Sequence, residues 1–203
     1  EDWSTKNILS MQFVGGHAIE DAENLPQKTR DKIACALIDL VLRELFEFGL
    51  MQTDPNFANY RYNPDEGKII LLDFGATRRI APEISHNYRA LLKAGLREDR
   101  DIMRELSLKI GFFAADTEAR HQEKILDMMS LVFDEMNKAD TFDFAATELS
   151  KRLQRKGMAL AEQGYIPPPL PIDVLFVQRK FGGVFMLASK LRARVDLKTL
   201  FAG

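Results

Sequence analysis

Three oxygen-bearing side chains stand out in the stretch from Met51 to Ile80. Asp54 precedes Asn59 by five positions, and Asp73 follows Asn59 by fourteen. Their chemistry suits a hard cation. Mg²⁺ prefers oxygen ligands, takes only one or two carboxylates from a protein, and fills its other positions with water and substrate phosphate. Asn59 and Asp73 could supply the protein oxygens. Asp54 would border the same cavity, where it could orient a hydroxyl or a water or accept its proton.

Such a site needs an element that folds Asp73 back towards Asn59. The chain reads Phe57-Ala58-Asn59-Tyr60-Arg61-Tyr62, then Asn63-Pro64-Asp65-Glu66-Gly67, then Lys68-Ile69-Ile70-Leu71-Leu72. The middle piece is rich in turn formers, and its flanks carry aromatic and β-branched residues. This pattern predicts a short β-hairpin, which would bring Asn59 and Asp73 together. Either half alone reads as an ordinary turn or a chance triplet. Both halves in this order, joined by a hairpin, favour a functional arrangement.

Protein kinases use this layout: a catalytic Asp, an Asn five positions later, and the Asp of an Asp-Phe-Gly triplet. Here the triplet is Asp73-Phe74-Gly75. QTDPNFANY followed by LLDFGATR resembles the UbiB/AarF family of atypical kinases, the kinase-like proteins of ubiquinone biosynthesis. RELFEFGLMQTDPN, RKFGG and KLRAR extend the resemblance across the chain. It implies an α+β, mostly α-helical fold: a protein-kinase-like C-terminal lobe whose short β-hairpin carries the catalytic and metal residues, with a hinge strand at the N-terminus. It implies ATP and Mg²⁺ as cofactors, Asp54 as the catalytic or water-positioning acid, Asn59 and Asp73 as metal ligands, and Phe74 and Gly75 beside the cofactor. Ile8 to Val14 is an apolar, β-type run stopped by Gly15-Gly16. By itself it reads as a buried strand and turn. In the resemblance it is the last strand of the small lobe running into the hinge. Met11 then gates the back of the nucleotide pocket, and the backbone of Gln12, Phe13 and Val14 meets adenine. Residues 1–16 would be small-lobe strand and hinge, and residues 17–203 a single helical lobe, partial relative to the family.

The loop departs from ordinary kinases. Gln52-Thr53 replaces the usual His-Arg, whose Arg meets the phosphate of an activation loop. Ala81-Pro82-Glu83 looks like the end-marker of an activation segment but begins only six residues after Gly75, too soon for a substrate-docking loop. It reads better as a helix start, with Pro in the first turn and an acid near the positive end of the dipole. ATP hydrolysis, or transfer to a small or lipid molecule, is thus favoured over peptide phosphorylation. The resemblance implies nucleotide, lipid or quinone precursors and a membrane surface as partners. It places the protein at the bacterial inner-membrane surface or on the matrix side of the mitochondrial inner membrane.

Composition agrees with one packed domain. The chain has 203 residues, 46% of them hydrophobic, and 28 basic against 30 acidic residues give a net charge of −2. That balance offers no nucleic-acid footprint. The single Cys35 excludes an internal disulfide and a cysteine metal cluster. It sits in an apolar helical run, where a buried thiol is expected. No apolar run approaches the roughly 18 residues of a membrane span. His17, His86 and His121 lack metal-ligand spacing, and no repeat or low-complexity tract is present.

The remaining pattern is helical. A broad apolar stripe over residues 27–48 predicts a helix buried on more than one side, stopped by Gly49. Further helices are expected over about 82–96, 99–110, 117–137, 144–162 and 172–194. The methionines of the third of these are expected to fill core. Ile166-Pro167-Pro168-Pro169-Leu170-Pro171 reads as a stiff connector. Gly182-Gly183 inside the last helix predicts close helix packing, and Lys180, Lys190, Arg192 and Arg194 suggest a solvated basic cluster that could touch anionic lipid heads.

Two other functions fit the same residues: a small-molecule phosphotransferase of the aminoglycoside-kinase type, and a non-catalytic kinase-like scaffold. Phe74-Gly75 after the metal Asp disfavours the former, and retention of all three polar residues disfavours the latter. Kinase chemistry also needs a small-lobe Lys paired with a Glu and a loop over the phosphates. Neither fits before residue 8, and the family's Lys-x-Gly-Gln motif is absent. The expected partner is therefore the small lobe of the same protein. Residues 1–203 alone should show negligible ATP turnover; ATPase activity of this segment that is lost on Asp73→Asn would contradict the expectation.

Overall fold

The computed structural model describes residues 3–202, apart from the side chain of Thr147. Its secondary structure is mostly helix, with three small sheets. The expected strand over Ile8–Val14 does not form. Those residues have no regular structure, and Ile8, Leu9, Met11, Phe13 and Val14 are exposed. Among the described residues they have no sheet partner, and an extended segment without one leaves its backbone donors and acceptors to solvent. The first ordered pairing comes later: β1 (His17–Ala18) adds to the outside of the predicted hairpin.

After a 3₁₀ turn, α1 (Gln27–Arg43) runs into a π turn (Glu44–Phe48), and Gly49 closes it in the left-handed region at φ 58°. Ile33, Ala34, Leu37, Ile38, Val41 and Leu42 are buried along α1, as the broad stripe requires. The helix leads into β2 (Leu50–Gln52), the loop holding Asp54, and a short 3₁₀ turn. Then β3 (Tyr60–Asn63) and β4 (Lys68–Leu71) form the hairpin, with Gly67 at φ 64° in its turn. A strand that sequence patterning did not suggest, β5 (Thr77–Arg79), returns antiparallel to β2.

The helical body follows. α2 (Pro82–Leu96) starts with Pro in its first turn, and the backbone N–H of Ile102 donates to the Asp99 carboxylate at the start of α3 (Arg100–Ile110). α4 (Ala119–Lys138) and α5 (Thr147–Glu162) come next, and the proline run joins α5 to α6 (Ile172–Lys190). α6 stops short of the expected Arg194, because Arg192 turns to φ 49° and releases β7 (Arg194–Val195) to pair with β6 (Phe142–Asp143). A final helix, α7, covers Leu197–Ala202. α1 packs on α6, and α2 packs on α3 and α4. The approach of α4 to α2 is so close that a Cβ on Gly95 would lie 2.1 Å from the Phe133 ring.

The methionines of α4 all border one apolar groove of about 450 Å³ with Phe133, Phe181 and Phe185. Met136 is buried there, and Met128 and Met129 are half-buried and packed against the core.

The glycine pair of α6 also differs from expectation. A Cβ on Gly183 would meet not another helix but Pro55 of the Asp54 loop, 2.2 Å from its Cβ, while Gly182 faces open space. The two sites should respond oppositely. Gly182→Ala should stabilise the fold by up to about 1 kcal/mol through helix propensity. Gly183→Ala should destabilise it by roughly 1–3 kcal/mol through overpacking. Denaturant unfolding of the two variants checks both signs.

Candidate active site

Two antiparallel ladders assemble the site. In the first, Tyr60 faces Leu71 and Arg61 faces Ile70. The pairing continues one step past the strands, where the Leu72 N–H donates to the Asn59 carbonyl at 3.0 Å. Asp73 is the next residue, so the register delivers it to the mouth of the hairpin beside Asn59. Both border one small cavity with Leu40, Tyr60 and Phe74.

The second ladder ties the Asp54 loop to the segment after Asp73. Gln52 faces Thr77, and the Thr53 N–H and hydroxyl both donate to the Ala76 carbonyl, at 3.0 and 2.7 Å. Thr53, standing where ordinary kinases have Arg, is thus a buried structural tie. Asp54 follows it, and the Asn59 amide donates to its Oδ2 at 3.0 Å. Its other oxygen lies 3.5 Å from Nη2 of Arg179 on α6. All three residues expected from sequence therefore meet, with Asn59 in the middle.

The donor set fits Mg²⁺. The amide nitrogen of Asn59 is committed to Asp54, which leaves its side-chain oxygen available to a cation. Asp73 uses Oδ1 to accept from the Gly75 N–H at 2.7 Å and keeps its second oxygen. One exposed carboxylate and one half-buried amide oxygen match an ion that retains waters and takes phosphate oxygens. Among the described residues there is no group of three or more His, Cys, Asp or Glu side chains able to hold a metal.

Behind the site lies a buried polar cluster that sequence reading missed. Lys180, assigned from sequence to a solvated basic cluster, is 1% exposed. Its ammonium donates to Gln52 Oε1 at 3.1 Å and to the Tyr60 hydroxyl at 2.9 Å. It also lies 3.3 Å from Glu44 Oε2 in the π turn. Burial pushes the Glu44 carboxyl above the usual range, and the charge of Lys180 and the Gln52 N–H oppose that rise. Nor do the other members form one basic patch: Lys190 pairs with Glu20 and Arg194 with Asp143. The available signal was Lys180 on the otherwise apolar face Val177-Lys180-Val184, where a solvated charge does not belong.

Of the remaining expected site residues, Phe74 is exposed beside Asp73 and Gly75. Met11, Gln12, Phe13 and Val14 are exposed in the N-terminal segment.

A helical lobe with a hairpin presenting Asp, Asn and Asp at one mouth defines a protein-kinase-like large lobe. Residues 1–107 match the ABC1 atypical kinase-like domain, and the chain belongs to that family, the UbiB/AarF-type atypical kinases. It is 31% identical over 201 residues to "Atypical kinase COQ8B, mitochondrial" of Rattus norvegicus, covering 99% of this chain and 38% of that protein. It is also 31% identical over 204 residues to "Atypical kinase COQ8, mitochondrial" of Saccharomyces cerevisiae, covering 98% of this chain and 40% of the relative. The chain thus spans about two fifths of the length of these curated relatives. Rv3197 of Mycobacterium tuberculosis, solved in complex with erythromycin, shares the fold at a TM-score of 0.71 and 19% identity, over 93% of this chain and 47% of the other. No helix among the described residues is long and apolar enough to cross a membrane.

The Thr53–Ala76 tie carries a direct expectation. Thr53→Val keeps the shape and the backbone bond but leaves the Ala76 carbonyl one donor short. It should cost about 0.5–1.5 kcal/mol in denaturant unfolding; an unchanged midpoint would show that the hydroxyl bond is immaterial.

Proposed function

We propose that this chain is the large lobe of an Mg-ATP-dependent atypical kinase or ATPase that supports ubiquinone (coenzyme Q) biosynthesis. The observation that carries the reading is the meeting of Asn59 and Asp73 at the mouth of one hairpin, with Asp54 hydrogen-bonded to Asn59. Membership of the atypical kinase family and the likeness to the COQ8 proteins support it.

In this reading Asn59 and Asp73 hold Mg²⁺, which when bound neutralises the charge of the nucleotide phosphates. Asp54 orients the attacking hydroxyl or water and accepts its proton. Its hydrogen bond from Asn59 and its contact with Arg179 hold the carboxylate in place. Phe74 and Gly75 border the cofactor, Met11 gates the back of the nucleotide pocket, and Gln12 to Val14 form the edge that meets adenine. The exposed apolar side chains of that segment suit a surface covered by nucleotide and by a small lobe of the same protein.

Water or a small or lipid molecule is favoured as acceptor over a peptide, because only Ala76 to Ala81 separates Gly75 from α2. Quinone precursors and a membrane surface are the proposed partners. The mitochondrial names of the COQ8 relatives favour the matrix side of the inner membrane over a bacterial inner-membrane surface.

Thermal unfolding of the whole protein tests the proposal. With Mg²⁺ and nucleotide at 100 times the dissociation constant, stability should rise by about 2.7 kcal/mol. Asp73→Asn should lose most of that gain. An equal gain in the variant would contradict the assignment of Asp73.

A further inference from the structure

We infer that Lys180 of α6 is the positioning residue of this site: buried beneath it, the ammonium locks the catalytic loop and the metal-bearing hairpin into one block. The inference rests on the reading of Asn59 and Asp73 as the Mg²⁺ ligands. It adds a residue that lies outside the part of the chain matching the family domain, which ends at residue 107.

Lys180 touches three elements at once. Gln52 is the last residue of β2, two positions before Asp54. Tyr60 opens β3, next to Asn59. Glu44 sits in the π turn that ends α1. Local π turns are frequent at functional sites, and this one supplies the counter-charge. Glu44 Oε1 also accepts from the Gln52 N–H at 3.4 Å, so the anion and the cation grip the same residue from opposite ends. The flanking contacts of α6 act in the same direction. Arg179 reaches Asp54, and Gly183 lets the helix close onto Pro55.

The ammonium does not reach substrate itself. Lys180, Asn59 and Asp73 border one cavity of about 10 Å³, room for one water at most. A phosphate cannot enter it. Lys180 therefore acts through Gln52 and Tyr60, which set where Asp54 and Asn59 stand. Outer residues of this kind orient metal ligands, and their loss typically costs roughly 10- to 100-fold in metal affinity.

A lone Lys180→Met would strand the Glu44 charge in the interior, and misfolding would obscure the result. The informative variants in the whole protein are the double substitution Lys180→Met with Glu44→Gln, which removes both charges, and Tyr60→Phe, which removes one hydrogen bond. The measurement is the Mg²⁺ concentration giving half of the nucleotide-induced thermal shift, with Asp73→Asn as reference. The double variant should need roughly tenfold more Mg²⁺ than the wild type, and Tyr60→Phe should shift the midpoint the same way by less. A purely structural role would lower the unfolding temperature and leave the Mg²⁺ midpoint alone, and that result overturns the inference. Should the double variant not fold, an unchanged midpoint in Tyr60→Phe overturns it equally. If Asp73→Asn abolishes the shift while both variants keep the wild-type midpoint, only Lys180 is wrongly assigned. If Asp73→Asn leaves the shift intact, the metal reading fails and the inference falls with it.

Discussion

Register in two short antiparallel ladders is the constraint on which this lobe depends. The β3–β4 ladder sets Asn59 beside Asp73, and the β2–β5 ladder sets Thr53 beside Ala76. Because side chains alternate across a strand, a slip of one residue in either ladder would turn its polar groups to the opposite face. Such short ladders are weak alone. Their register is held by what they pack on: Met51, Tyr60, Tyr62 and Ile80 are buried against the helical core. The site is therefore exposed chemistry on a buried frame.

The helices supply that frame from a distance in sequence. α6 lies more than a hundred residues beyond the Asp54 loop, yet Arg179, Lys180 and Gly183 all meet the loop or the strands beside it. Burying an ammonium and a carboxylate is costly unless each is paired and hydrogen-bonded. Apolar residues could fill the same space, so the arrangement is better explained by orientation than by stability. Burial holds the Glu44 carboxyl above its ordinary range despite the neighbouring cation, so the cost of burying its charge falls on the same cluster.

Much of this was legible in the chain. The hairpin, α1 with its stop at Gly49, and the Pro82 start of α2 follow from local chemistry, because turn formers, periodicity and caps act over a few residues. The grouping of Asp54, Asn59 and Asp73 was legible for the same reason. What could not be read depends on distant partners. A segment such as Ile8–Val14 has strand composition but no neighbour to pair with among the described residues, while Thr77–Arg79 lacks strand character and pairs because Leu50–Gln52 lies alongside. Lys180 looks like surface until its three partners, up to 136 positions away in Glu44, are brought to it. Arg192 ends α6 early for the sake of the β6–β7 pair, again a long-range bond.

The central claim is that one hairpin gathers its two oxygen donors on a single cation. A crystal structure of the whole protein with Mg²⁺ and a non-hydrolysable ATP analogue measures this directly. The account predicts a metal bonded to both the Asn59 side-chain oxygen and the Asp73 carboxylate at about 2.0–2.1 Å, with nucleotide phosphate completing its shell. A cation held on the phosphates by other residues, with Asn59 and Asp73 both unligated, would contradict it.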